Sequence, residues 1–261
     1  MSTARPPASP PHLPGERLRE LDHLVAEALQ RGDEETLPIL GYGEISTVLA
    51  WPPPSRGEER FACKRLPTFP SRERFERYRA TLADYVEALE QRGVGVVPTE
   101  FRAVEQRREM IAGYVVQPIL PADRLGPAVL HDATEAQAQP LIDAVASAAA
   151  GAVGPRLGLD AQLSNWVWEG GRLTYIDVST PLIWGSDDRC RLDVEVIVRP
   201  FPPPLRWPLR RFVAAGIADG YRNLRGVYFD LCGNLIKERL ESWLPAGCWS
   251  ASAFPWCLSR P

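Results

Sequence analysis

Apolar residues spaced three and four apart mark the two clearest helices of this chain. Leu18, Leu21, Leu24, Val25 and Leu29 form one stripe over Glu16 to Arg31, closed by Gly32. Phe75, Tyr78, Leu82, Tyr85 and Leu89 form a second, from about Ser71 to Arg92. Between and after them the pattern shortens into apolar runs bounded by Gly, Pro and charge, which read as strands. One precedes Gly41, a second covers Thr47–Trp51 and a third Arg60–Leu66. Val94 to Val104 and Met110 to Leu120 add two more, with Arg107 and Arg108 in the turn between them. Glu135 to Ala152 is an alanine-rich helix. Trp166–Trp168 and Leu173–Ile176 read as a hairpin closed by Glu169-Gly170-Gly171-Arg172, since a Gly-Gly pair supplies the positive φ angles of a tight turn. After the prolines of 200–204 come a helix near Leu209–Ile217 and one or two helices over Tyr221–Leu244. Residues 1–14, with five prolines, read as a disordered tail. No repeats interrupt this order, and it predicts an α+β fold with a sheet-rich first half and a mainly helical second half.

Composition narrows the partners. About 230 ordered residues can bury a large core as one domain with two lobes. A net charge of −3 and a pI near 5.8, with arginines interleaved among acids, give no electrostatic basis for nucleic-acid binding. No apolar run is long enough to span a membrane, and no signal-peptide pattern is present. Five cysteines without metal-ligand spacing read as reduced thiols of a cytoplasmic protein. The Arg-, Ala- and Pro-rich usage suggests a GC-rich bacterial source.

The candidate chemistry centres on Asp160-Ala161-Gln162-Leu163-Ser164-Asn165 and Asp177, which follows Asn165 by twelve residues across the hairpin. Phosphoryl transfer from a nucleotide asks for one carboxylate to orient the acceptor hydroxyl, and for an amide and a second carboxylate to hold Mg²⁺. Asp160 supplies the first, and Asn165 and Asp177 the others. Asp and Asn are frequent at turns for local reasons. Yet this chain has only three asparagines, and one of them occupies this offset.

Upstream, Gly41, Tyr42 and Gly43 lead into Ser46 and Val48, a glycine turn of the kind that lets backbone approach phosphates. The third strand carries Lys64. Of 30 basic residues only Lys64 and Lys237 are lysine. Lysine is a compact point charge and arginine a broad fork, so the two are not interchangeable at a phosphate. The strand ending in Gln117-Pro118-Ile119 suits a link where an adenine edge bonds to backbone at Gln117 and Ile119.

In this order of parts, residues 38 to about 182 resemble the protein-kinase-like fold, and within it the aminoglycoside-phosphotransferase-like branch. The resemblance implies a bilobal α+β fold. Residues 15–119 would form a nucleotide-binding lobe, an antiparallel sheet plus helix, and 120–261 a mainly helical catalytic lobe. It also implies ATP or another nucleoside triphosphate and Mg²⁺ as cofactors, and a hydroxyl-bearing acceptor that the sequence does not identify. Asp160 would be the catalytic base, Asn165 and Asp177 the Mg²⁺ ligands, and Lys64 the contact to the α/β-phosphates, with Gly41 to Ser46 over them. Three departures stand against it. Gly158 occupies the position of the family's bracing histidine, Asp177-Val178-Ser179 replaces Asp-Phe-Gly, and no Ala-Pro-Glu follows. The acid that would pair with Lys64 stays open among Glu76, Asp84, Glu87 and Glu90. A pseudokinase that binds nucleotide or a partner protein without catalysis is the alternative.

Overall fold

The apolar runs before residue 120 become five strands: β1 (Ile39–Tyr42), β2 (Thr47–Trp51), β3 (Phe61–Arg65), β4 (Glu100–Glu105) and β5 (Ile111–Pro118). They are seen in a computed structural model that describes residues 11–33, 36–42, 47–54, 58–198, 202, 206 and 219–244. All pair antiparallel, in the order β1-β2-β3-β5-β4. The fold is mixed α and β, built on this sheet and several helices. Among the described residues no helix is long and apolar enough to cross a membrane.

The described residues divide into two compact units. The first takes those of Met1–Ala80, Val97–Ile119 and Asp193–Arg206, and the second those of Thr81–Val96, Leu120–Leu192 and Trp207–Pro261. In the first unit, helix α1 (Gly15–Arg31) presents Leu18, Leu21 and Val25 to Leu49, Cys63, Tyr114 and Val116 of the sheet, all in one buried cluster. Each such side chain contributes about 1.5–3 kcal/mol on burial. α1 stops at Gly32, whose left-handed φ of 66° turns the chain so that the N–H of Asp33 returns to Ala28 O at 3.0 Å. Leu13 is fully buried in the same cluster, and its carbonyl accepts Arg102 Nη1 at 2.8 Å, so this part of the proline-rich stretch is packed rather than a free tail. Residues 1–10 lie outside the described set. Helix α2 (Arg72–Gln91) carries the predicted stripe, with Phe75, Tyr78, Leu82, Tyr85 and Leu89 all buried. The expected strand over Val94–Val104 begins only at Glu100, because Gly95 and Pro98 interrupt the run and proline has no N–H for a ladder.

The second unit holds α3 (Gly126–His131), α4 (Glu135–Ala152), the hairpin β6 (Trp166–Glu169) and β7 (Arg172–Tyr175), and α6 (Leu224–Lys237); the short α5 (Val194–Val198) belongs to the first. α4 opens with a capping box between Thr134 and Gln137. Tyr228 Oη donates to Ala146 O at 3.1 Å and ties α6 to α4. Of the one or two helices expected over Tyr221–Leu244, the described residues carry α6, followed by a 3₁₀ turn at Glu241–Trp243. The helix expected near 209–217 falls outside the described residues.

Candidate active site

The stretch from Leu159 to Leu163 alternates along its length. Leu159, Ala161 and Leu163 are buried, while Asp160 and Gln162 are half-buried. This period of two pins the loop by its apolar side and turns its polar side away from the core. Leu163–Asn165 then forms one 3₁₀ turn before β6, and Trp166 Nε1 donates back to Ala161 O at 3.3 Å. β6 and β7 pair in register from Trp166↔Tyr175 to Glu169↔Arg172, and Gly170 and Gly171 have φ of 57° and 79°. Both values are positive, as a two-residue type I′ turn requires. Past the last pair, Ile176 N donates to Asn165 O at 3.0 Å. Asn165 therefore faces Ile176, the residue before Asp177, at the end of the hairpin away from the turn.

Each of the three groups is held. Asn165 Nδ2 donates to Asp160 O at 3.3 Å, so its amide oxygen is the atom that would meet a cation. Asp177 Oδ1 accepts from Ser179 Oγ at 2.7 Å and from Ser179 N at 3.2 Å. Buried Ser179, standing where the resemblance has glycine, thus fixes the carboxylate. Asp160 Oδ1 accepts from Gln162 N at 3.1 Å. Burial raises the Asp160 carboxyl from its ordinary 3.8 to about 7; Asp230 and Asp177 add to the rise, and the bonds from Gln162 N and the Asn165 amide oppose it.

Gly158 and Leu159 extend the same ladder of bonds. Gly158 N donates to Leu182 O at 2.8 Å, and Leu159 N to Tyr221 O at 3.2 Å. A Cβ on Gly158 would lie 2.9 Å from Tyr221 O and 3.1 Å from Leu182 Cβ. The backbone runs too close here for a side chain, which is the physical reason for glycine in the histidine position.

α6 reaches the same loop. Gln162 Nε2 donates to Asp230 Oδ2 at 3.0 Å, Leu163 N to Asn234 Oδ1 at 3.0 Å, and Asn234 Nδ2 to Gln162 Oε1 at 3.4 Å. Sequence reasoning allowed Asp230–Arg239 either to line an acceptor pocket or to pack as a capping helix, and it did not place Asp230 and Asn234 at the Asp160 loop. The available signal was Asn234, a buried amide sharing a helix face with Val227, Leu231 and Leu235.

The upstream residues gather on the sheet. Gly41 pairs with Val48, Val48 with Lys64 and Lys64 with Val115, which makes one row across four strands. Residues opposite one another share a face, and so do positions two apart. Gln117, two residues beyond Val115, is therefore on the Lys64 face, and its Nε2 donates to Thr99 Oγ1 at 3.0 Å. Tyr42 ends β1 opposite Thr47. Ile119 follows β5 and is 36% exposed. Gly43 and Ser46 lie outside the described residues. Of the acids considered for Lys64, Glu76 meets Arg79 at 2.6 Å, Asp84 meets Arg191 at 2.6 Å and Glu87 accepts from Gln91 at 3.0 Å.

The donor set fits a hard divalent cation. Asn165 and Asp177 offer two oxygen ligands, and among the described residues no group of three or more His, Cys, Asp or Glu is placed to hold a metal. Mg²⁺ is bound in that way, through one or two protein oxygens together with phosphate oxygens, rather than in an all-protein cage.

A family model described as "Family of unknown function (DUF6206)" matches residues 20–251. The chain belongs to that family. Its DUF6206 match covers α1 from Glu20 onward, the sheet, the Asp160 loop, the hairpin and α6. Among curated proteins none matches. A solved structure similar to this chain is the MAP kinase LmaMPK10 from Leishmania major, at 13% identity and a TM-score of 0.33, covering 89% of this chain and 92% of that one.

Asp160 also predicts a pH signature. A carboxyl whose folded-state pKa of about 7 exceeds its ordinary 3.8 binds its proton more tightly in the native state. Its contribution to stability is complete below about pH 4 and is lost as pH rises through about 7. Asp160→Asn should therefore raise the melting temperature at pH 8 and leave it nearly unchanged at pH 4. Calorimetry at the two pH values checks this, and an equal shift at both would show that the Asp160 proton is not involved.

Proposed function

We propose that this protein is a kinase-like, ATP- and Mg²⁺-dependent phosphotransferase acting on a hydroxyl of a small molecule or of a peptide or natural-product intermediate. The observation that carries the reading is the β6–β7 hairpin. It pairs Asn165 with Ile176, the residue before Asp177, and it directly follows the loop that carries Asp160. The first unit carries an antiparallel sheet with a helix after the lysine strand, as the kinase resemblance implies, with Gly41, Val48, Lys64 and Gln117 on one of its faces.

In this reading Asn165 and Asp177 hold Mg²⁺, and Lys64 takes the contact to the α/β-phosphates that the resemblance gives it. The bound cation supplies charge neutralisation at the phosphate oxygens. Asp160 accepts a hydrogen bond from the acceptor hydroxyl and aims its oxygen for attack, so the protein contributes mainly positioning and electrostatics.

Thermal denaturation tests the reading. Nucleotide at 100 times its Kd stabilises a protein by about 2.7 kcal/mol, a rise of about 5–10 °C for a chain of this size. Mg·ATP should produce that rise, and ATP with a chelator should not. No rise at millimolar Mg·ATP would overturn the proposal. A rise without ATP consumption across an acceptor screen would favour the non-catalytic pseudokinase, so consumption is measured on the same preparation.

A further inference from the structure

Two tyrosine hydroxyls are buried beside the Asp160 loop with no part yet in the site. Tyr85, on the apolar stripe of α2, is fully buried, and Tyr175 at the end of β7 is 1% exposed. A hydroxyl taken out of water must find a partner, or its desolvation goes uncompensated. Tyr85 Oη donates to Gly158 O at 3.2 Å, and the Tyr175 hydroxyl donates in turn to Tyr85. Tyr175 is itself fixed, since its N–H donates to Gly95 O at 2.7 Å and its ring lies 4.9 Å from that of Trp166. The chain of bonds therefore begins two residues before Asp177 and ends two residues before Asp160.

We propose that Tyr85 and Tyr175 are positioning residues of this site, a hydroxyl brace that ties the Asp160 loop to the strand carrying Asp177. The inference rests on the phosphotransferase reading for its catalytic meaning, but the brace itself does not. It performs from the α2 side the task that a histidine at 158 performs where the backbone leaves room for one. Here the Tyr221 carbonyl fills that room. A tyrosine hydroxyl keeps its proton through the neutral range, whereas a histidine changes charge there.

Hydrogen exchange on the full chain tests the brace, with Tyr85→Phe and Tyr175→Phe as variants. Tyr85→Phe leaves the Gly158 carbonyl without its donor. The amides of Leu159 and Gln162 should then exchange about tenfold faster, while those of β5 stay within about twofold of the wild type. Tyr175→Phe keeps the bond from Tyr85 to Gly158 and should give a smaller acceleration at the same amides. It also decides the question if Tyr85→Phe does not fold. With nucleotide turnover as second readout, kcat should fall about tenfold in Tyr85→Phe with KM for Mg·ATP unchanged, because only the geometry of Asp160 is altered. Exchange within twofold of the wild type in both variants overturns the brace, as does acceleration spread evenly over the molecule. Local acceleration in a protein that never consumes ATP sustains the brace and removes the phosphotransferase reading instead.

Discussion

Replacing Asp177 with alanine should abolish Mg²⁺-dependent nucleotide turnover while the fold survives. Asp177 is the only carboxylate of the proposed cation pair, and Asn165 alone offers an uncharged oxygen. Losing the charged ligand removes most of the electrostatic benefit of a bound divalent cation, several kcal/mol of transition-state stabilisation, so kcat should fall on the order of 10³-fold or more. The substitution also strips Ser179 of the acceptor that its hydroxyl and amide share at 2.7 and 3.2 Å. That costs about 1–3 kcal/mol of stability, and melting must be followed alongside activity. Asp177→Asn separates the two effects, since it keeps an oxygen for Ser179 and loses only the charge. The expected result is near-native melting with turnover as low as in Asp177→Ala. Unchanged turnover in either purified variant would sink the metal assignment, and with it the proposed mechanism.

What was legible in the sequence is what is written locally. α4 begins and ends at the residues its composition marks, Glu135 and Ala152, and the Gly170-Gly171 pair places the hairpin turn. The hairpin then sets Asn165 opposite Ile176, next to Asp177, because a two-residue turn fixes register and register fixes which flanking residues meet. The unread part is long-range. Tyr85 meets Gly158 from 73 positions away, and Gln162 meets Asp230 from 68. Such partners leave no trace in a periodicity window, since Tyr85 reads there only as one more apolar stripe residue. α5 has five residues, too few for a helical period. Its start is set by Asp193, which accepts Glu195 N at 3.1 Å and takes a bidentate bond from Arg74. Val94–Val104 failed as one strand for the opposite reason. Its valines carry the strand signal, but Gly95 and Pro98 overrule them through the backbone.

The largest stability loss should come from Asp22, far along the chain from the Asp160 loop. Asp22 lies on the apolar stripe of α1, between Leu21 and Val25, and is 6% exposed. It accepts from Tyr114 Oη at 2.7 Å, Gln106 Nε2 at 2.9 Å and Arg65 Nε at 3.3 Å, and Arg65 Nε also reaches Tyr114 Oη at 3.2 Å. Three sheet-side donors thus converge on one carboxylate, and they join α1 to β3, β5 and the loop after β4. Burying the ions is costly, so the intact network adds little over a well-packed apolar replacement. Removing one member is different, because Asp22→Ala leaves the Arg65 cation and the Tyr114 hydroxyl without that acceptor. The expected loss is about 3–5 kcal/mol, or about 6–20 °C in melting temperature for a chain of this size. The exposed Arg77–Glu73 pair gives the contrast: Glu73→Ala should change stability by about 0.5 kcal/mol or less. A cycle of Asp22→Ala, Tyr114→Phe and the double variant isolates the coupling, which should be positive and at least about 1 kcal/mol for groups in direct contact. Additive losses in that cycle, or a fall of less than about 2 °C in Asp22→Ala, would mean that apolar packing of Leu18, Leu21 and Val25 holds α1 in place without the network.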